Sequence, residues 1–327
     1  MSSVLFVGGT GQISAACVPL ALAQGWDVTV LNRGATSVRN LPSGVRSVQA
    51  DIRDPASVRT ALGDATFDVV ADFISFTPEH AATAVDLFTG RTGQYLYISS
   101  ASAYQTPPAR LPVTEETPLD NPYWQYSRDK AASEELLWTA RRELGFPVTV
   151  VRPSATYDRT RIPTLGSWTD VGRLRRGAPV VVLGDGTTRW TVTRAKDFAV
   201  GFVGLFGRAE ALGEAFHITS DLAPTWNEIY TTLAELLGVR PELAHVPAEA
   251  IAAVDERLGA SALGDKAHDF VLDNSKIRAL VPEFAPTATL EEGFAESLDW
   301  YLADESRQGG DPHLDAVFDQ VVRSAVR

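Results

Sequence analysis

Short runs rich in Val, Ile, Tyr and Phe alternate with longer segments of helical spacing through the first 153 residues, and few folds accept that rhythm. The runs are VLFVG (4–8), DVTVLNR (27–33), VRSVQAD (45–51), FDVVADF (67–73), QYLYISS (94–100) and VTVVRP (148–153). A seventh, EAFHITS (214–220), comes later. Apolar strands separated by helices are joined by right-handed crossovers into a parallel sheet covered on both faces. The segments between them carry helix signals: Asp54-Pro55 and Pro78-Glu79 as starts, Gly145 as a stop. The expected class is α/β, a doubly wound parallel sheet.

After Pro153 the rhythm breaks. Residues 158–186 carry Pro, Gly, Trp and several arginines and read as an insertion leaving the sheet. DFAVGFVGLFG reads as one more sheet-packing helix, and from about Ala223 the pattern turns helical with short loops. The expectation is a dinucleotide-binding domain of residues 1–157 plus 187–222, and a substrate lobe of 158–186 plus 223–327. The tail after Asp304 has a Gly/Pro break and an amphipathic end, which either packs back or serves a partner.

A net charge of −12 opposes a nucleic-acid partner, which needs a basic face, and opposes docking on anionic lipid. No apolar run reaches the ~18–20 residues of a membrane helix. The chain opens on a strand with no charged leader before it, and its one cysteine, Cys17, lies in the apolar run ISAACVPLALA. A cytoplasmic protein with Cys17 as core packing is expected. Five scattered histidines show no metal spacing, so no metal is expected, and His80 reads as a helix-surface residue.

VLFVGGTGQISAA places Gly8, Gly11 and Ser14 at G-x-x-G-x-x-G/S spacing between a strand and a helix. Glycine serves where the chain turns with positive φ and where backbone approaches a pyrophosphate, which the helix N-terminus then favours electrostatically. This is the Rossmann dinucleotide turn, and it predicts NAD or NADP. At the end of the second run, where an Asp would bind a ribose hydroxyl, the chain reads Asn32-Arg33. Asn32 can bond a hydroxyl and Arg33 can hold a 2′-phosphate, so both dinucleotides stay open, with a lean toward NADP(H).

Strand C-termini in a parallel sheet face the ligand crevice, which puts Ser99, Ser100 and Ser102 near the nicotinamide. Tyr126 and Lys130 follow at i and i+4, on one helix face. At this point the chain resembles the short-chain dehydrogenase/reductase superfamily, in its extended, nucleotide-sugar epimerase/dehydratase-like branch. The matching stretches are VGGTGQIS (7–14), ISSASAY (98–104), YSRDK (126–130), VRPSATYD (151–158), GDGTTRW (184–190), PTWNEIYTTLAELLG (224–238) and DNSKIRALVP (273–282). Their order along nearly the whole chain is more specific than any one of them.

The resemblance implies a catalytic set of Ser100, Tyr126 and Lys130, with Ser102 as the fallback for Ser100. It implies a dinucleotide along Gly8, Gly9, Thr10, Gly11, Gln12 and Ile13, then at Asn32, Arg33, Asp51 and Ile52. Ser75, Ser99, Tyr126, Lys130 and Pro153 complete that groove. Substrate contacts are expected at Phe76, Ser102, Tyr104, Trp124, Tyr157 and Arg189. The physics stands beside the family name. An ammonium about 4 Å from a phenol at an effective dielectric near 20 contributes about 4 kcal/mol, enough to lower its pKa of about 10 by roughly three. Tyr126 would then take a proton from a substrate hydroxyl, and Ser100 would bond the oxygen on which charge develops.

Dehydratases of this branch place acidic residues directly after the catalytic Ser/Thr; here Ala101 and Ser102 stand there, which disfavours dehydration. The reading is an NAD(P)-dependent epimerase acting through a transient ketone on a nucleotide-linked sugar or nucleoside, with the cofactor kept tightly bound. A net ketone reductase or alcohol dehydrogenase is the alternative, and a non-catalytic dinucleotide-binding regulator is a third reading of another class. Arg189 matches the branch's phosphate-binding arginine, but TVTRAKD replaces the usual His-Val-Asp continuation, so a nucleoside or other polyol fits as well. Arg173, Arg175 and Arg176 read either as an anion pocket or as a solvated face; Trp124, Trp168 and Trp190 either shape the pocket or pack the lobe. A homodimer is possible.

Overall fold

The structure, a computed structural model, describes residues 1–34 and 39–325. Its strands are β1 (Ser3–Val7), β2 (Asp27–Asn32), β3 (Arg46–Gln49), β4 (Phe67–Asp72), β5 (Thr92–Ile98) and β6 (Val148–Arg152). Then come β7 (Ala155–Tyr157), β8 (Val180–Leu183), β9 (Val192–Arg194), β10 (Ala215–His217) and β11 (Leu243–Val246). The helices begin with α1 (Ser14–Ala23), α2 (Pro55–Leu62), α3 (Pro78–Phe88), α4 (Gln125–Leu144), α5 (Trp168–Arg175) and α6 (Ala195–Gly204). They continue with α7 (Trp226–Leu237), α8 (Ala248–Ala252), α9 (Glu256–Ser261), α10 (Ser275–Leu280), α11 (Leu290–Leu302) and α12 (Pro312–Ala325).

Seven strands form one parallel sheet in the order β10-β6-β5-β4-β1-β2-β3. The order reverses between β1 and β4, and in such a sheet the ligand crevice opens beyond the strand ends at that point. Register places the two ends flush, since Val7 pairs with Leu31 on one side and Asp72 on the other. Alternation along β1 fills both faces: Val4 and Phe6 pack against α1 and α6, Leu5 and Val7 against α2 and α3. Each such buried side chain contributes about 1.5–3 kcal/mol.

Local chemistry ends the helices where the sequence indicates. Asp54 accepts from Ala56 and Ser57 N–H to cap α2, Thr77 accepts from His80 N–H to cap α3, and Gly145 closes α4 at φ +68°. Cys17 is fully buried on the core-facing side of α1.

The remaining elements build a second core of Ile162, Leu174, Trp226, Phe294 and Phe318 among others. Two features differ from the sequence reading. The insertion contains α5 and β8, and β8 pairs in parallel with β11, so the lobe holds a two-stranded sheet amid its helices. VVVL and LAHV are too short to show periodicity. Second, α10 lies away from this core: Ile277, Val281 and Phe284 pack with α6 over the main sheet. The tail packs back, burying Val317, Phe318 and Val321 of α12. Fully buried Arg173 ion-pairs with Asp315 and Asp319 there, Arg176 pairs with Asp315, and Arg175 bonds Gln308, so these three arginines fasten the tail. No described helix is long and apolar enough to cross a membrane.

Candidate active site at the strand ends

The glycine turn leaves β1 tightly. Gly8 has φ +87°, and a Cβ there would come within 2.5 Å of Ile74; one on Gly9 would come within 2.7 Å of both Val30 methyls. Ser14, where a third glycine is common, donates to Gly8 O at 2.6 Å and accepts from Gly11 N–H at 2.9 Å. The loop is therefore held open-backed, as a cradle no side chain fills. Gln12 bonds Thr156 O and so ties the cradle to β7, while Thr10 and half-buried Ile13 complete the turn into α1. At the end of β2, Asn32 accepts from Gly34 N–H, and Arg33 after it is exposed. Asp51 accepts from Arg53 N–H beside buried Ile52. The Ser99 hydroxyl is buried with no partner among the described residues. Such a bare-backbone cradle, with polar side chains at the end of β2 and after β3 and a buried hydroxyl unpartnered among the described residues, fits a bound dinucleotide.

Ser100, just past β5, caps a short turn and lines a cleft of about 510 Å³ with Tyr126, Trp124 and Trp190. Its Oγ lies 2.9 Å from Ser102 Oγ, which in turn receives the Ser127 hydroxyl at 2.8 Å. Pro153 supports the turn by accepting from Ala101 N–H. Tyr126 sits in the first turn of α4 with the Trp124 ring 4.7 Å away and the Phe76 ring at 6.5 Å.

One turn on, Lys130 is buried behind this pair. Its Nζ donates to Ser75 O at 2.6 Å and Ile98 O at 2.7 Å, and lies over the rings of Tyr97 and Phe76. Burial pushes its pKa down to about 7, against the pull of Asp72 and Glu134. The Tyr126 phenol moves opposite to the sequence expectation. Burial pushes it up to about 12; the Ser100 hydrogen bond lowers it and Asp265 raises it. Burial is the reason, and the lysine does not offset it: i and i+4 spacing gives a shared face, but the ammonium donates to two backbone carbonyls and lies 5.8 Å from the Tyr126 ring centroid.

The structure does not bring every expected substrate contact to this cleft. Tyr104 is fully buried, bonded to Arg152 at 2.8 Å and His217 Nε2 at 2.6 Å. Tyr157 faces a separate cavity of about 580 Å³ between α1, α6 and α11 and packs on Phe294. Arg189 is exposed outside the cleft, its backbone N–H held by Asp269. Trp168 stacks on Tyr301 in the lobe core. His80 accepts from Phe76 N–H, a local lock at the start of α3. Among the described residues no group of three potential ligands could hold a metal.

Sequence reasoning missed Asp72, which is fully buried at the end of β4, bonds Ser75 Oγ and Tyr95 OH at 2.6 Å each, and helps keep Lys130 charged. A carboxylate ending an apolar parallel strand was the available signal. It also missed the buried Glu134–Arg152 pair, for which the pattern carried none.

The seven-stranded doubly wound sheet, the bare glycine cradle and a serine–tyrosine pair at the strand ends define an NAD-dependent enzyme of the short-chain dehydrogenase/reductase type. The model of the NAD dependent epimerase/dehydratase family matches residues 4–218, and this chain belongs to that family. It is 28% identical to 2′-dehydrokanamycin reductase of Streptomyces kanamyceticus over 75% of the chain and 70% of that protein. It is 26% identical to the chloroplast stem-loop binding protein of 41 kDa b of Arabidopsis thaliana over 74% of the chain and 65% of that protein, just under two thirds of its length. The epimerase Mth375 from Methanothermobacter thermautotrophicus shares the fold at a TM-score of 0.77, with 18% identity and 94% of each chain covered.

Proposed function

We propose that the chain reduces a ketone on a sugar or other polyol to a carbinol, with Tyr126 as proton donor, Ser100 as carbonyl-oxygen donor and Lys130 as the positioning cation beneath them. One observation supports this reading: burial pushes the Tyr126 phenol up to about 12, so at neutral pH it holds the proton that a ketone oxygen takes on reduction. A reduced dinucleotide held along Gly8, Gly9 and Gly11 would supply the hydride for the carbonyl carbon. Tyr126 then gives its proton to the oxygen that gains charge. With Ser127 donating to Ser102, the Ser102 proton can go to Ser100, which leaves the Ser100 proton for the substrate. Residues 101 and 102 offer no second acid–base pair, which speaks against elimination of water. The reductase among the relatives supports this direction.

Epimerisation of a nucleotide-linked sugar is the second reading, favoured by the family, but it must start with oxidation, and Arg189 stands outside the cleft. A regulator role, suggested by the stem-loop binding relative, is opposed by the charge of −12 and by a cleft with its hydroxyl chain complete. We further infer that residues 158–186 and 223–327, α10 excepted, act as the substrate lobe. Purified protein given keto-sugars should consume reduced dinucleotide stoichiometrically. Inversion of a sugar carbon with no dinucleotide consumed would establish the second reading instead.

A further inference from the structure

The cleft that holds Ser100 and Tyr126 is also lined from the lobe by two arginines. Arg161 follows β7, and Arg257 lies in the first turn of α9. Both are exposed to the cleft, and neither guanidinium has a hydrogen-bond or ion-pair partner among the described residues. Arg173, Arg175 and Arg176 of the lobe are engaged with the tail, and Arg159, Arg240 and Arg323 are unpaired among the described residues but lie away from the cleft; Arg161 and Arg257 are the two arginines that line it. The carboxylate that acts on Arg161, Asp158, is taken by a bidentate contact from Arg39.

Acidic groups share the cleft, so the sign of its ligand has to be decided. Asp265 is ion-paired with Lys266 at 2.6 Å. Asp255 caps α9 through Leu258 N–H, and Asp311 accepts from His313 and Leu314 N–H. Each cleft carboxylate thus already has a donor, whereas the two guanidinia have no acceptor. Guanidinium groups present paired N–H donors that match the oxygens of phosphate and carboxylate. The cations lining the cleft, Arg161, Arg257 and Lys266, are matched in number by Asp255, Asp265 and Asp311, so an anion would be held by the open guanidinium N–H groups themselves and not by a net positive field.

We propose that Arg161 and Arg257 form an anion subsite that fixes a phosphate or carboxylate group of the substrate, while Ser100 and Tyr126 act on its carbonyl from the sheet side. This takes over the task the sequence assigned to Arg189. The proposal rests on the reductase reading for what is transformed, but its test does not need turnover.

With NAD⁺ saturating, so that the glycine cradle is filled, inorganic pyrophosphate is titrated into the protein while fluorescence of Trp124 and Trp190 in the cleft is followed. Citrate serves as the carboxylate arm. The wild type should show saturable binding of at least one of the two, and whichever binds more tightly identifies the group. Arg161→Gln and Arg257→Gln should each weaken it by about tenfold, and the double variant should abolish it, while Arg257→Lys retains part of it. Dinucleotide binding and the thermal midpoint should not change, because both side chains are exposed. Unaltered binding in the double variant, no saturable binding in the wild type, or tighter binding of spermidine than of either anion would overturn the proposal. Tyr126→Phe should bind the anion like wild type, so loss of turnover there with anion binding intact separates failure of the subsite from failure of the reductase reading.

Discussion

Helix α4 carries two ionisable groups one turn apart on its buried face, and their fates differ. Lys130 meets two backbone carbonyls and no carboxylate in contact, and burial draws its pKa down to about 7. Glu134 instead receives Arg152 through Nε at 3.0 Å and Nη2 at 2.6 Å. Burial works against the Arg152 charge as well, but the Glu134 carboxylate more than offsets it and leaves the guanidinium above its ordinary range. Both cations have lost their water. A bidentate carboxylate locks one in its charged form, whereas neutral carbonyls leave the other close to giving up its proton. The first is a brace between α4 and β6; the second is an adjustable charge under the Ser100–Tyr126 cleft.

The comparison can be broken at several points. The largest effect is expected for Glu134→Ala, which strands the buried guanidinium and should cost about 3–5 kcal/mol in urea unfolding. A loss under about 1 kcal/mol would show that the brace carries little. Tyr126→Phe should lower turnover by about 10²–10⁴-fold with unfolding unchanged, measured as the rate of reduced-dinucleotide consumption.

Lys130 sharpens the contrast through pH. Its folded pKa lies below the unfolded one, so between about pH 7 and the ordinary lysine range the unfolded chain holds more protons. Stability should therefore rise with pH through that window, and Lys130→Met should flatten the rise when urea midpoints are compared across it. An identical slope in both proteins would place the lysine among ordinary solvated ones. The smallest effect is expected for Ser127→Ala, which removes the far end of the hydroxyl chain but neither cleft residue. A several-fold drop in kcat with KM held is the outcome to look for.

How far the sequence reached follows the same divide. The strand positions, the glycine turn and the helix caps were legible because each depends on residues close together in the chain. Helical spacing placed Tyr126 and Lys130 on one face, yet the ammonium's partners are carbonyls at the ends of β4 and β5, which only the topology brings there. The pKa of Tyr126 moves up, through burial, where spacing suggested down. Arg189 was read from a local match, while Arg161 and Arg257 come to the cleft from segments nearly a hundred residues apart. Tyr104 looked like a cleft residue from its motif and proves to be a buried partner of Arg152 and His217.

The claim on which the rest depends is that the Tyr126 phenol is protonated at working pH. Its ionisation can be isolated as the difference in phenolate absorbance between wild type and Tyr126→Phe during an alkaline titration without dinucleotide. The account predicts that this difference appears only at strongly alkaline pH, toward about 12. A phenolate emerging near neutral pH would contradict it, and would make Tyr126 a base for carbinol oxidation.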